Sequence, residues 1–304
     1  MASVPAQAAV PISTHPLVNP PASQLGLRNA VYSGTGRRHD TGMVPGWLSI
    51  KTMLRGSAVW ETAERRFTVS PDCYLILNDH HRYALRFEAG ERVTTFVLFF
   101  RRGLAEDVLR CRTTVSEQLL DDPEATRGSA EFFERLESRA SPLYRLIQRF
   151  KEEVAAGVTP AEADDWFVRM AAQMVREQKS ADTSMTKLPA ARAATRVELF
   201  RRVLRGRDFL LAQTGERASL DDAARAACLS PYHFHRAFRQ AFGETPHQAR
   251  TRYRLERAAA LLAAGQRVTD VCLAAGFESL GSFSSLFTRI YGVTPRDYRA
   301  SHSK

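Results

Sequence analysis

Cysteine is scarce in this chain of 304 residues: Cys73, Cys111, Cys228 and Cys272 stand far apart, with no Cys-x-x-Cys pair. Neither a disulfide framework nor a cysteine-based zinc site is therefore expected. No run of about 18 apolar residues occurs, so no membrane-spanning helix is expected. A basic stretch followed by an apolar core is missing at the N-terminus, so the expectation is a cytoplasmic protein without a secretory leader. The spacing His-x-His with a nearby Glu is missing too. His80-His81, with His39 and Glu88, offer metal-ligand chemistry. Adjacent histidines on a strand point to opposite faces, however, and a metal needs a convergent set. Polar loop or pocket histidines are expected, with no metal and no other cofactor.

Acidic residues run short in one region. From Ala190 onward 19 Lys and Arg meet only 10 Asp and Glu, whereas 24 meet 23 before it. Nearly all of the net charge of +10 therefore lies on the last third of the chain. A polyanion-binding domain joined to a nearly neutral one leaves this footprint. Hydrophobic residues make up 44% of the chain, enough for two ordinary cores.

The basic third contains a repeat. Leu220 to Arg250 returns as Thr269 to Arg299 at a constant offset of 49, carrying Asp221 onto Asp270, Phe234 onto Phe283, Phe238 onto Phe287 and Thr245-Pro246 onto Thr294-Pro295. A constant offset implies one structural unit used twice. Each copy reads as helix, tight turn, helix. In the first, Ser219 caps a helix through Ala223, Ala224 and Ala227. Ser230-Pro231 restarts a second, an N-cap followed by a proline at the position whose N–H would be orphaned. Phe234, Phe238 and Phe242 form its apolar stripe, and Gly243 ends it. In the second copy Val271 and Ala275 pack the first helix, Gly276-Phe277-Glu278 turns, and Ser279 caps a helix with Phe283, Phe287 and Ile290 inward. Cys228 and Cys272 sit where small buried residues fit, so core packing is expected of both, with redox sensing as the alternative. Two short helices and a tight turn form the helix-turn-helix that seats its second helix in a DNA major groove.

Over Arg196 to Arg299 the chain resembles the AraC/XylS family of bacterial transcription regulators. Val271-Cys-Leu-Ala-Ala-Gly-Phe-Glu-Ser, then Phe283-Ser-Ser-Leu-Phe, then Tyr291-Gly-Val-Thr-Pro-Arg-Asp-Tyr-Arg299 carry the resemblance. It implies seven helices, a long linker helix over Pro246 to Ala264, promoter DNA as partner, and RNA polymerase as a second partner in activation. It also implies base-reading positions. In the first motif these fall on Tyr232, His235, Arg236 and Arg239, with Ser230 and His233 at the helix start. In the second they fall on Leu280, Gly281, Ser282 and Ser285, beside Ser279 and Arg289. Arg grips guanine bidentately and His donates to a base edge. Leu280, Gly281 and Ser285 have little reach, so the second motif is expected to anchor on the backbone through Ser279, Ser282 and Arg289.

The first half reads differently. Residues 1–25 are rich in Ala, Pro, Ser and Val with hardly any charge, and a flexible arm is expected. Short strands with frequent turns follow: Leu48 to Leu54, Val59 to Thr62, Phe67 to Val69, Cys73 to Leu77, Tyr83 to Phe87 and Val93 to Phe100. Their order resembles the cupin-like sensing half of many family members. Helices are expected over Leu104 to Thr113, Ser129 to Ala140, Pro142 to Ala156, and from Pro160 to about Gln178, where Thr159 and Glu162 have capping-box spacing. They pack on the barrel or form a dimer contact.

The expected fold class is α+β: a cupin-like β-barrel with helices over 26–178, a linker over 179–191, and an all-α double helix-turn-helix domain over 192–304. The expected function is sequence-specific transcription regulation, with a small-molecule effector and a homodimer as further expectations and repression or non-specific architectural binding as alternatives. No enzyme is expected. A DNA-repair alkyltransferase with this kind of domain needs a reactive Pro-Cys-His-Arg and a zinc-binding Cys cluster, and the sequence has neither.

Overall fold

The computed structural model describes residues 17–113, 130–190, 192–213 and 219–302. The chain divides into two compact units between Thr183 and Ser184. No helix among the described residues is long and apolar enough to cross a membrane.

The first unit is a nearly closed antiparallel barrel with helices on one outer face. Its strands are β1 (Ala30–Asp40), β2 (Val44–Pro45), β3 (Ser49–Arg55), β4 (Ala58–Thr62), β5 (Arg66–Val69), β6 (Cys73–Leu77), β7 (Arg82–Phe99) and β8 (Leu136–Ser138). β7 is the spine: β1, β2, β3 and β4 all pair with it. Two strands were expected over this stretch, separated at 88–91. They form one strand because β1 accompanies both halves and absorbs the bend in a register shift between Gly36 and Arg38. β1 itself carries no clean alternation; Gly34 and Gly36 interrupt its pattern, and only pairing with β7 fixes it as a strand.

Alternate residues of β3 face opposite ways, and both faces are buried from Ser49 to Met53. Ile50, with Tyr74, Phe96 and Leu98, meets the helical layer. That layer is α1 (Leu104–Thr113), α2 (Pro142–Ala156) and α3 (Pro160–Thr186). Ser141 caps α2 by accepting from the N–H groups of Leu143 and Tyr144, ahead of Pro142. Leu143, Ile147, Phe150 and Val154 then repeat at helical spacing and are buried, as are Phe167, Met170 and Met174 of α3. Phe167 meets Phe100 and Phe150 edge-on, with ring centroids at 5.1 and 5.6 Å. Burial of each such ring contributes about 1.5–3 kcal/mol. These helical faces are thus used within the chain. The Thr159–Glu162 capping box is formed.

Three expectations fail here. The helix expected over 129–140 is not formed: 130–135 is irregular, and β8 instead extends the sheet beside β6, with Asn78 Nδ2 donating to the Phe132 carbonyl and accepting back through its own oxygen. The linker expected over 179–191 is helical through Thr186. Its polar residues fit because Thr183 Oγ1 donates to the Lys179 carbonyl at 2.9 Å, Gln178 donates to Asp182, and Ala181 is buried. Of the arm expected over 1–25, 1–16 lies outside the described residues. The remainder is anchored: Leu17 is buried, Asn19 N–H donates to the Val31 carbonyl, and the Asn19 amide bonds both backbone groups of Ser33.

The second unit has seven helices among its described residues: α4 (Ala193–Ala212), α5 (Leu220–Ala226), α6 (Pro231–Phe242), α7 (Pro246–Ala263), α8 (Val268–Ala274), α9 (Leu280–Tyr291) and α10 (Pro295–His302). α7 joins the two helix pairs. Thr245 and Gln248 form its capping box, and Leu255, Ala258 and Leu262 face inward with Leu261 partly covered.

Candidate nucleic-acid interface

Each helix pair is built by caps at one end and aromatic packing at the other. Ser219 Oγ accepts from the Asp222 N–H while the Asp222 carboxylate accepts from the Ser219 N–H. The Ser219 N–H, and its hydroxyl beside it, donate to the Asp222 carboxylate and hold it below its ordinary pKa. Ala223, Ala224 and Ala227 are small enough for α4 and α6 to come close. Ser230 Oγ then accepts from the His233 N–H and starts α6, with Pro231 next. Phe234 and Phe238 are fully buried, 5.5 Å apart and edge-on, and Phe238 continues to Phe242 at 4.8 Å. That stripe fixes the rotation of α6. The opposite face presents Tyr232, His233, His235, Arg236 and Arg239, all exposed.

The second pair follows the same plan with one difference. The first helices correspond at an offset of 48, not 49. Buried Ala223, Ala224 and Ala227 match buried Val271, Cys272 and Ala275. The Leu229 N–H donates to the Ala224 carbonyl at 3.0 Å, as the Phe277 N–H donates to the Cys272 carbonyl at 2.9 Å. The left-handed turn residue is Cys228 in one pair and Gly276 in the other. The second helices, α6 and α9, correspond at 49. The second turn is thus one residue longer, between the left-handed residue and the N-cap, and the gapless repeat is corrected accordingly. The loop tolerated the insertion while both caps were kept.

This register also corrects Cys228. It occupies a left-handed turn position, where the side chain projects outward, and it is exposed; Cys272 is buried, and burial pushes its thiol up. Ile290 is corrected as well, being 59% exposed. The stripe of α9 runs Phe283, Phe287, Tyr291, with Phe287 and Tyr291 stacked at 4.5 Å. α7 supports the second turn. Arg254 donates to the Gly276 carbonyl and lies over the Phe277 ring, and burial lowers its pKa.

The exposed start and outer face of α9 carry Ser279, Leu280, Gly281, Ser282, Ser285 and Arg289. Ser279 Oγ is occupied as the N-cap, accepting from the Ser282 N–H at 3.4 Å. Helix register carries Tyr232, His233 and Arg236 onto Gly281, Ser282 and Ser285. It carries His235 and Arg239 onto Ser284 and Thr288, two positions absent from the expected set although the same offset points to them. All twelve expected residues lie on or next to the outer faces of α6 and α9. The two faces differ in chemistry: one holds two arginines, two histidines and a tyrosine, the other mainly short hydroxyls and a glycine, with Leu280 at its start and Arg289 as its one long cation.

In the barrel the four metal candidates do not converge. His81 Nδ1 pairs with Glu134 Oε1 at 2.7 Å, and His80 pairs with its neighbour Asp79. His39 stacks on Phe87, while Glu88 pairs across the ladder with Arg38. The two adjacent histidines sit in and beside a turn, with His80 in left-handed backbone. Among the described residues no group of His, Cys, Asp or Glu is arranged to hold a metal. Lys51 is the residue that its sequence setting disguised. A lysine alternating with Ile50 and Thr52 reads as a solvated face, but barrel closure buries it.

Residues 33–148 match the AraC-like ligand binding domain, and residues 223–301 match a helix-turn-helix domain. The probable transcriptional regulator LumQ of Photobacterium leiognathi is 35% identical over 85 residues, which are 28% of this chain and 34% of LumQ. The HTH-type transcriptional regulator ArgR of Pseudomonas aeruginosa is 33% identical over 85 residues, covering 28% and 26%. The matched region thus spans about a third or less of these relatives' length. A solved transcriptional regulator of Chromobacterium violaceum with an AraC-type DNA-binding domain is 29% identical, covering 37% of this chain and 98% of its own, at a TM-score of 0.32.

Proposed function

The chain belongs to the AraC/XylS family of transcriptional regulators, and from that premise we propose that α6 reads base edges in one major groove while α9 anchors the domain on the neighbouring backbone. The contrast between the two outer faces carries this reading. Arg236 and Arg239 are long enough to grip guanine O6 and N7, His235 to donate to a base, and Tyr232 to reach a thymine methyl or a phosphate. Ser230 and His233 lie at the helix N-terminus, where phosphate oxygens are favoured. Ser279, Ser282 and Arg289 suit backbone contacts, and the short Gly281 and Ser285 allow close approach.

In this proposal the barrel unit senses a small molecule or forms a homodimer contact. The division of labour follows the break between Thr183 and Ser184, and in this proposal the protein acts in the cytoplasm as an activator, through RNA polymerase, with no catalytic step. Arg236→Ala should cost about 1–3 kcal/mol on a selected DNA site and relax preference at one or two base pairs. Ser285→Ala should change affinity little. Equal, large losses of specificity from both would show that α9 reads bases too. A specificity ratio near one against random DNA would instead favour an architectural binder.

A further inference from the structure

Leu280 is the residue that the anchoring role of α9 leaves unused. It is the first residue of α9, directly after the N-cap Ser279, and it is 45% exposed. It belongs neither to the buried core of the second helix pair nor to the partly buried residues packed against that core. Capping needs nothing from it, because Ser279 Oγ serves the Ser282 N–H. The matching position in α6 holds Pro231, a residue suited to opening a helix. Leucine has no such use there. Gly281 follows, where a Cβ would meet nothing nearer than Ser279 Oγ at 3.7 Å, so the helix start is open beside Leu280.

The surroundings favour DNA over a protein as what covers this side chain. A recognition helix meets base edges with its N-terminal residues. Ser279, Gly281, Ser282 and Ser285 around Leu280 are all exposed, and this third of the chain carries nearly all of the positive charge. Ile290 is also exposed, but it lies further along α9, roughly 15 Å away at about 1.5 Å per residue, so the two form no common apolar patch. In the major groove every base edge is polar except for the C5-methyl of thymine. Against guanine, adenine or cytosine, leucine would cover a donor or an acceptor and leave it unpaired, which is penalised. Against thymine it buries apolar surface on apolar surface. Gly281, Ser282 and Ser285 are too short to replace that contact with a bidentate purine pair.

We propose that Leu280 is a specificity-determining residue, reading one thymine methyl group in the groove that α9 enters. The inference rests on the placing of α9 against DNA under the proposed function. It adds a single apolar base preference to a helix that otherwise anchors.

The test uses the full chain and a DNA site that it selects from random sequence. Each thymine of the protected region is replaced in turn by deoxyuridine, which removes only the C5-methyl. At one position the replacement should weaken binding about three- to tenfold. Cytosine at that position should weaken it further, and 5-methylcytosine should regain part of the loss. Leu280→Ala should bind the thymine and deoxyuridine sites equally, and Leu280→Gln, which keeps a side chain of similar length, should be equally blind to the methyl. A protected region without a thymine under α9, a flat deoxyuridine scan, or a methyl preference that both variants retain would overturn the proposal. Unchanged DNA binding in both variants with loss of transcription would overturn it too, assigning Leu280 to a protein contact. Where any of these comes with intact specific binding by the parent chain, the regulator reading stands and only the methyl contact falls; a parent chain that selects no site refutes both.

Discussion

Gly206 of α4 faces Phe234 of α6 and the Ala223 carbonyl with no room for a side chain, and replacing it with alanine is a sharp test of how α6 is held. An added Cβ would lie 2.6 Å from Phe234 Cζ and 2.8 Å from the Ala223 carbonyl oxygen, and closer still to Phe234 Cε2. Real contacts of this kind essentially never fall below 3.0 Å. In an open helix the substitution would stabilise by about 1 kcal/mol. Here overpacking of about 1–3 kcal/mol opposes that gain. The ring has little room to retreat, because Phe234 and Phe238 are both fully buried. We expect net destabilisation of about 1–2 kcal/mol, taking the clash at the upper part of its range. Because His235 and Arg236 follow Phe234 directly, the displaced helix should also lose DNA affinity. Gly281→Ala is the internal control. Its Cβ would meet nothing nearer than Ser279 Oγ at 3.7 Å, so it should stabilise by up to about 1 kcal/mol. Urea unfolding of the full chain, followed by DNA titration at a temperature where both variants are folded, gives the two numbers. A Gly206→Ala protein as stable as Gly281→Ala, with unchanged DNA affinity, would refute the packing account.

Two further outcomes follow from the division of the chain and from Lys151. A fragment starting near Ser184 should fold alone and bind the sites the full chain binds, and a folded fragment without affinity for them would contradict the assignment of DNA binding to the second unit. Burial, with Arg139 adding to it, lowers Lys151 to about 7. The unfolded chain therefore holds a proton that the folded chain has released between pH 7 and the ordinary lysine value near 10.4, and stability should rise with pH there, by about 1.4 kcal/mol per unit from this group. Lys151→Met should be more stable than the parent near pH 7 and lose that advantage by about pH 10; urea midpoints at three pH values measure it, and a pH-independent difference would show that the amine is charged throughout.

Legibility in the sequence tracked the range of the interactions. Ser219, Ser230 and Ser279 announce their helices because a cap is a bond over two or three residues, and all three are formed. The aromatic stripes were equally plain, because helical spacing alone puts Phe234 beside Phe238. What escaped notice depends on distant chain. β1 is a strand because β7 pairs with it, and β8 because β6 offers an edge. Ser138 and Leu136 carry no local signal of that. The burial of Lys51 follows from closing a sheet, and alternation in β3 cannot tell an inner polar residue from a solvated one. In the second unit the offset of 49 captured α6 and α9. The one-residue insertion was hidden because Ala226 and Ala275, Asp221 and Asp270 coincide by composition while buried positions correspond at 48. Ile290 and Cys228 illustrate the same limit: spacing admits both to the core, and neighbouring Tyr291 and a left-handed turn exclude them.

Hydroxyl-radical footprinting on a DNA site selected by the full chain tests the central claim most directly. α7 has 18 residues and spans roughly 27 Å, comparable to the ~34 Å of one DNA turn. One chain should therefore protect two patches about 10 base pairs apart on the same face, the patch under α6 more sequence-selective and both weakening steeply with salt. A single protected patch, or a strict inverted repeat that only two chains together can protect, would contradict the account.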